Sequence, residues 1–182
     1  MPRAILITGN SRRFLENNLR LKEYLEYIGI RNIPHITCAY AEAAKTRDKL
    51  ARLIANDIDE PLLICYSGHG SKRGIAINED QMILYPTLLR LMHHHSRILL
   101  ILDCCHAFGF VVAPENNDAS EHISLIAACG RDEKSSCGLL EDLIHHWSSG
   151  EAYPLNVFVD GKRYSHTRQR WGNSFDHYFF PR

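Results

Sequence analysis

No stretch of this chain is long and apolar enough to span a bilayer, and the first apolar run, Ala4 to Thr8, is too short for the core of a secretion signal. It has no surplus of charge either: 21 basic residues meet 21 acidic ones. A nucleic-acid or anionic-membrane surface is therefore not expected. The cysteines, six in all, form no regular framework, two are adjacent, and Cys-x-x-Cys does not occur. That argues against a secreted disulfide scaffold and a structural zinc site, and makes a reducing cytoplasm the expected location. Repeats, linkers and low-complexity tracts are missing too. With 182 residues, 45% of them hydrophobic, the chain has material for one domain with a sizeable core.

Two aliphatic runs organise the chain. Ile98 to Leu102 is apolar on both faces, as a central parallel strand requires, and it delivers Asp103, Cys104, Cys105 and His106 to its carboxyl end. Pro61 to Ser67 repeats the plan and ends in Gly68-His69-Gly70. Open α/β sheets place ligands at this edge, so a thiol and an imidazole are expected to meet across one cleft.

Around these runs the pattern alternates. Ala4 to Thr8 reads as a first strand, 12 to 28 as a helix stopped at Gly29, Ile33 to Tyr40 as a second strand, and Ala41 to Ile58 as a helix. Gly70 to Gly74 reads as a turn, followed by a hairpin of Ile75 to Asn78 and Met82 to Tyr85, then a helix from Pro86 to about His95. His122 to Cys129 is expected as a strand and Ser136 to Trp147 as a helix, with further strands at Leu155 to Val159 and Phe175 to Phe180. Short connections between alternating strands and helices imply an α/β fold with a mostly parallel sheet covered on both faces.

A cysteine nucleophile needs a base or a positive field beside it, because only the thiolate attacks. His69 can supply that, and the glycines beside it let the backbone bend and approach a substrate. The amides of Gly70 and Cys105 would then point together at a developing oxyanion. Zinc chemistry fits poorly, since Cys104, Cys105 and His106 are too close in sequence to share one tetrahedral ion. The runs His93 to His95 and His145-His146 fall at helix C-termini, where histidine complements the dipole. No metal site is assigned.

Tyr66-Ser-Gly-His-Gly70 and Asp103-Cys-Cys-His106, each ending an aliphatic strand and in this order, resemble the caspase-like cysteine peptidases on their metacaspase and paracaspase side. Ile123 to Glu133 followed by Gly138-Leu-Leu is similar to the family's later strand and helix. The resemblance implies a caspase-like three-layer sandwich with about six strands. It implies one peptidase domain over 1–182, comprising a large-subunit-like part (1–107), a loop (108–121) and a small-subunit-like part (122–182). It implies cysteine endopeptidase activity on protein or peptide substrates, with Cys105 as nucleophile and His69 as base. Cys104 falls on the motif's variable position. Ala107-Phe108 stands where the family has Ser-Gly, and His69 and Cys105 are 36 residues apart, against about 50 in caspases.

For the substrate pocket the resemblance implies Asp103, with Ser67 beside it, as an acidic floor favouring Arg or Lys at the scissile position. Relatives of this kind bring a further aspartate from the segment after the first strand. Here Arg12 and Arg13 occupy that segment, where aspartate-directed caspases place an arginine, so a mixed or altered pocket is the alternative. A catalytically inactive signalling module on the same fold is the rival to the peptidase. The loop 108–121, where many relatives cut themselves, holds no Lys or Arg; Arg131 and Lys134 are the nearest basic residues beyond it. No cofactor is expected. Glu115, Asp118, Asp132 and Glu133 match no calcium loop by spacing.

Overall fold

The computed structural model describes residues 1–38, 42–111, 121–136, 138–150, 158–160 and 165–172. Its centre is a six-stranded sheet made of β1 (Arg3–Thr8), β2 (His35–Thr37), β3 (Leu62–Ser67), β7 (Ile98–Asp103), β8 (Ile123–Ala127) and β11 (Gln169–Gly172). Their spatial order is β11-β8-β7-β3-β1-β2. Five strands run parallel, and β11 joins the edge antiparallel to β8. The two aliphatic runs singled out above are β3 and β7, direct neighbours near the middle, and all six residues of each are buried.

Burial on both faces is why these strands carry no polar alternation. On one face, Ile5, Ile64, Leu100 and Leu125 meet Leu50 and Ile54 of α2 (Ala43–Ile54) and Leu88 and Met92 of α3 (Tyr85–Met92). On the other, Leu6, Cys65, Ile101 and Ile126 meet Leu21 and Leu25 of α1 (Arg12–Tyr27) and Leu140 and Leu143 of α4 (Leu139–Ser149). Each fully buried Leu or Ile contributes about 1.5–3 kcal/mol relative to exposure. The two outer helices of that second face also meet each other, through stacked Tyr24 and Trp147 with ring centroids 6.3 Å apart and an Arg20–Glu141 ion pair of 2.7 Å.

Several boundaries differ from expectation. The second strand shortens to three residues because β2 is an edge strand that meets only Leu6 to Thr8. The second helix starts at Ala43, where Gln81 Oε1 accepts the Ala43 amide at 2.8 Å and supplies the cap that Glu42 does not. Residues 70 to 74 are more than a turn: β4 (Gly70–Ser71), β5 (Gly74–Ala76) and β6 (Met82–Leu84) make a small antiparallel sheet. A separate pair, β9 (Phe158–Asp160) and β10 (Ser165–Thr167), precedes β11. The sixth strand of the main sheet is thus 169 to 172, a segment with no aliphatic run. The strand expected at Phe175 to Phe180 lies outside the described residues, as does most of the loop 108–121.

Among the described residues no helix is long and apolar enough to cross a membrane.

Candidate active site

β3 and β7 pair in parallel from Leu62↔Ile98 to Ser67↔Asp103, so the residues following each strand leave the same edge together. The contact persists beyond the ladder: the Gly68 amide donates to the Asp103 carbonyl at 3.2 Å. A Cβ on Gly70 would lie 2.4 Å from the Cys105 carbonyl oxygen and 2.7 Å from Cys104 Sγ. Only glycine lets the segment after His69 lie this close against the segment carrying Cys105. The segments carrying His69 and Cys105 therefore lie against each other at the carboxyl edge of the sheet.

The backbone of His69 is pinned from beneath. Its carbonyl accepts from the Ala76 amide at 2.9 Å, and Tyr66 Oη lies 2.6 Å from both the His69 and Ala76 carbonyls. That amide bond makes 69 and 76 a hydrogen-bonded pair of the small sheet. By antiparallel alternation, the Gly70 amide then points away from β5. The His69 ring is exposed and meets Phe14 of α1 edge-on at 5.1 Å.

The two adjacent cysteines face opposite ways, as successive residues leaving a strand do. Cys104 is 2% exposed within the core on the α2/α3 face, and burial pushes its thiol well above the ordinary range. Cys105 is half-buried, with Sγ 3.8 Å from the Ser135 carbonyl. Its amide has no backbone acceptor among the described residues. His106 takes a left-handed backbone (φ 57) and turns outward, its amide bonded to Glu133 O and its Nδ1 2.9 Å from Arg131 O. Ala107 then enters a short 3₁₀ turn, Ala107–Phe110, whose Phe110 packs edge-on against Tyr85 at 5.9 Å. Ala107 is fully buried, and Phe108 beside it is partly buried and packs against the same core.

Deeper in the same edge lies a polar row on the α1/α4 face. Ser67 Oγ donates to Asp103 Oδ2 at 3.0 Å, with both residues at most 1% exposed. Burial is the largest influence on Asp103 and pushes its carboxyl up; Ser67, Arg168, Asn17 and Arg13 each pull it back. Of the two arginines considered from sequence, Arg13 contributes to this field and Arg12 instead forms an exposed pair with Glu16 at 2.8 Å. Neighbouring residues of a helix lie about 100° apart, so only one of them can face the site. Arg168 and Asn17 were not anticipated. Neither belongs to a motif, and Arg168 arrives through the pairing of β11 with β8.

Among the described residues, no three His, Cys, Asp or Glu side chains form a group able to hold a metal ion. Asp132 pairs with Lys72, and the Glu133 carboxylate accepts the Gly130 amide at 2.7 Å. Glu115 and Asp118 lie outside the described residues.

No family model matches the chain, and no curated protein matches its sequence. Among solved structures, the crystal structure of Raptor from Chaetomium thermophilum is similar in fold, with a TM-score of 0.51 at 17% sequence identity. The likeness covers 73% of this chain and 16% of that one, so this chain corresponds to a small part of the Raptor structure.

Proposed function

We propose that the chain is a cysteine endopeptidase of caspase-like three-layer architecture, with Cys105 as nucleophile and His69 as proton carrier, cleaving after a basic residue. The observation that carries this reading is the close approach of the two strand ends, with Gly70 lodged against the Cys105 carbonyl beside a histidine whose backbone is pinned. In the proposed reaction Cys105 Sγ bonds to the scissile carbonyl carbon while its proton passes to the His69 imidazole. The oxyanion is held by the Gly70 and Cys105 amides. The tetrahedral adduct collapses, the C–N bond breaks, and the imidazolium protonates the departing amine. Water then attacks the thioester, gives its proton to His69, and releases the acid and the free thiol. The scissile side chain would reach towards Ser67 and Asp103, whose carboxylate favours Arg or Lys. No step calls for a cofactor. The five free cysteines among the described residues accord with a reducing cytoplasm, and the partners would be proteins or peptides.

The test is mass spectrometry after exposure to a peptidyl-arginine chloromethyl ketone, alongside hydrolysis of fluorogenic peptides. A single adduct on Cys105, lost in Cys105→Ala and slowed in His69→Ala, is expected. Labelling at another cysteine, or hydrolysis surviving Cys105→Ala, would overturn the assignment. One pair of contacts favours a non-enzymatic module instead: Cys105 Sγ is directed to the Ser135 carbonyl and the His69 ring to Phe14. That reading gains if Cys105 alkylates at the rate of a free thiol and no peptide is cut.

A further inference from the structure

The polar row at the sheet edge continues past Asp103 to a cation. Thr8, Ser67 and Asp103 are in register across β1, β3 and β7. One step beyond the last paired residues of β7 and β8 stands Ala128, whose amide bonds Leu102 O at 3.0 Å. One step before β11 stands Arg168, which the antiparallel register Gln169↔Ala127 brings level with Ala128. Cys65, Ile101, Ile126 and Ala128 all belong to the core of the α1/α4 face, which puts Asp103 and Arg168 on that side of the sheet. In register, Ala128 lies between them.

Arg168 is 4% exposed and is held from the other side by α4, where Nη1 pairs with Asp142, itself 48% exposed. Asp103 is 1% exposed, and its Oδ1 has no hydrogen-bond partner among the described residues. A carboxylate this buried is tolerated only with a counter-charge nearby.

We propose that Arg168 is a built-in counter-ion of the substrate pocket, competing with a basic side chain for Asp103, and is therefore the residue that sets how strongly the site accepts Arg or Lys. This rests on the peptidase reading for the pocket's use, but the charge arrangement stands without it. A like charge held about 6–12 Å away at an effective dielectric of about 20 weakens a bound cation by about one to two orders of magnitude. Burial and Arg168 act on the Asp103 carboxyl in opposite senses: burial favours the neutral acid, whereas Arg168 favours the carboxylate and at the same time offsets part of its field, leaving less of that field for a ligand. The pocket is then a mixed-charge site: a neutral polar side chain enters without opposition, whereas a basic one must share its carboxylate.

The test uses the full chain carrying Cys105→Ala, so that binding is read without turnover, and calorimetric titration with acetyl-arginine amide and acetyl-glutamine amide. Arg168→Gln should bind acetyl-arginine amide ten- to a hundredfold tighter, with acetyl-glutamine amide unchanged. Arg168→Lys, which keeps the charge, should behave as the parent. In the enzyme with Cys105 restored, Arg168→Gln should lower KM for arginine substrates with kcat little altered. If Arg168→Gln does not fold, Asp142→Asn reads the same balance with opposite sign, because loss of the Asp142 carboxylate leaves the Arg168 charge less neutralised and arginine binding weakens severalfold. Arginine binding that is unchanged or weaker in folded Arg168→Gln, unchanged in Asp142→Asn, or absent from every variant would overturn the proposal. Tight binding without hydrolysis by the chain with Cys105 restored would sink the peptidase reading alone; hydrolysis without the binding pattern would sink the counter-ion alone.

Discussion

Replacing Gly70 with alanine sets a methyl carbon 2.4 Å from the Cys105 carbonyl oxygen, about an ångström inside the onset of ordinary contact at 3.4 Å, and 2.7 Å from Cys104 Sγ. The first neighbour is backbone and the second is buried, so neither can swing aside as the tip of an exposed side chain would. Relief must come from moving the His69 segment away from the Cys105 segment. Overpacking of this kind costs about 1–3 kcal/mol. For a domain of this size each kcal/mol lowers Tm by about 2–4 °C, so a fall of about 2–12 °C is expected. On the proposed peptidase reading, cleavage should suffer more, because misplacing reacting groups by about 1 Å can cost about a hundredfold in rate. Thermal unfolding followed by circular dichroism, with kcat/KM on arginine peptides, measures both. Gly130→Ala is the control, since its methyl would meet the movable end of Glu133 at 2.9 Å, and it should lose less. A Gly70→Ala protein that melts with the wild type and cleaves at its rate would refute the packing argument.

Tyr66→Phe removes the hydroxyl between the His69 and Ala76 carbonyls. It should lower stability by about 1–2 kcal/mol in urea unfolding and reduce kcat beyond that, and an unaltered kcat would show that this bond does not position His69. Brief iodoacetamide treatment at pH 8 should modify Cys105 well before Cys38, Cys65, Cys104 or Cys129. Burial pushes the Cys38 thiol to about 11 and the Cys129 thiol to about 12, and drives Cys65 and Cys104 well above their usual range. Peptide mapping that finds Cys104 modified first would contradict the assigned orientation. His95 has its pKa lowered to about 4, by burial first and then by Arg3, with Asp59 opposing and Arg97 adding. The unfolded chain, titrating near 6.5, binds more protons between these values. Stability should therefore be unaffected above about pH 6.5 and fall by up to about 3 kcal/mol as pH drops towards 4. His95→Leu should flatten that part of the urea-midpoint profile, and a profile matching the wild type's would exclude His95 as the cause.

The parts legible from sequence are those written in local pattern. Six fully buried residues in a row at Leu62–Ser67, and again at Ile98–Asp103, leave no choice but strands covered on both faces. The Gly-His-Gly and Cys-Cys-His ends follow by chain continuity. The elements that depart from the sequence pattern have no such local signal. Gly70-Ser71 looked like turn because its strand exists only by pairing with Gly74 and Ile75. Gln169 to Gly172 became the edge of the main sheet through pairing with β8.

Periodicity and strand-end chemistry were enough to determine an α/β chain with a parallel sheet and a thiol and an imidazole at one edge, since a residue's neighbours in sequence dictate which elements form and what each carries at its tip. Contact between segments distant in sequence decided the rest. Asn17, Arg13 and Arg168 converge on the Asp103 field from α1 and from the residue before β11, while Arg12, next to Arg13, turns to Glu16. The charge balance of a buried site is a sum over groups that share a place, and adjacency in three dimensions is what the linear order of residues does not encode locally.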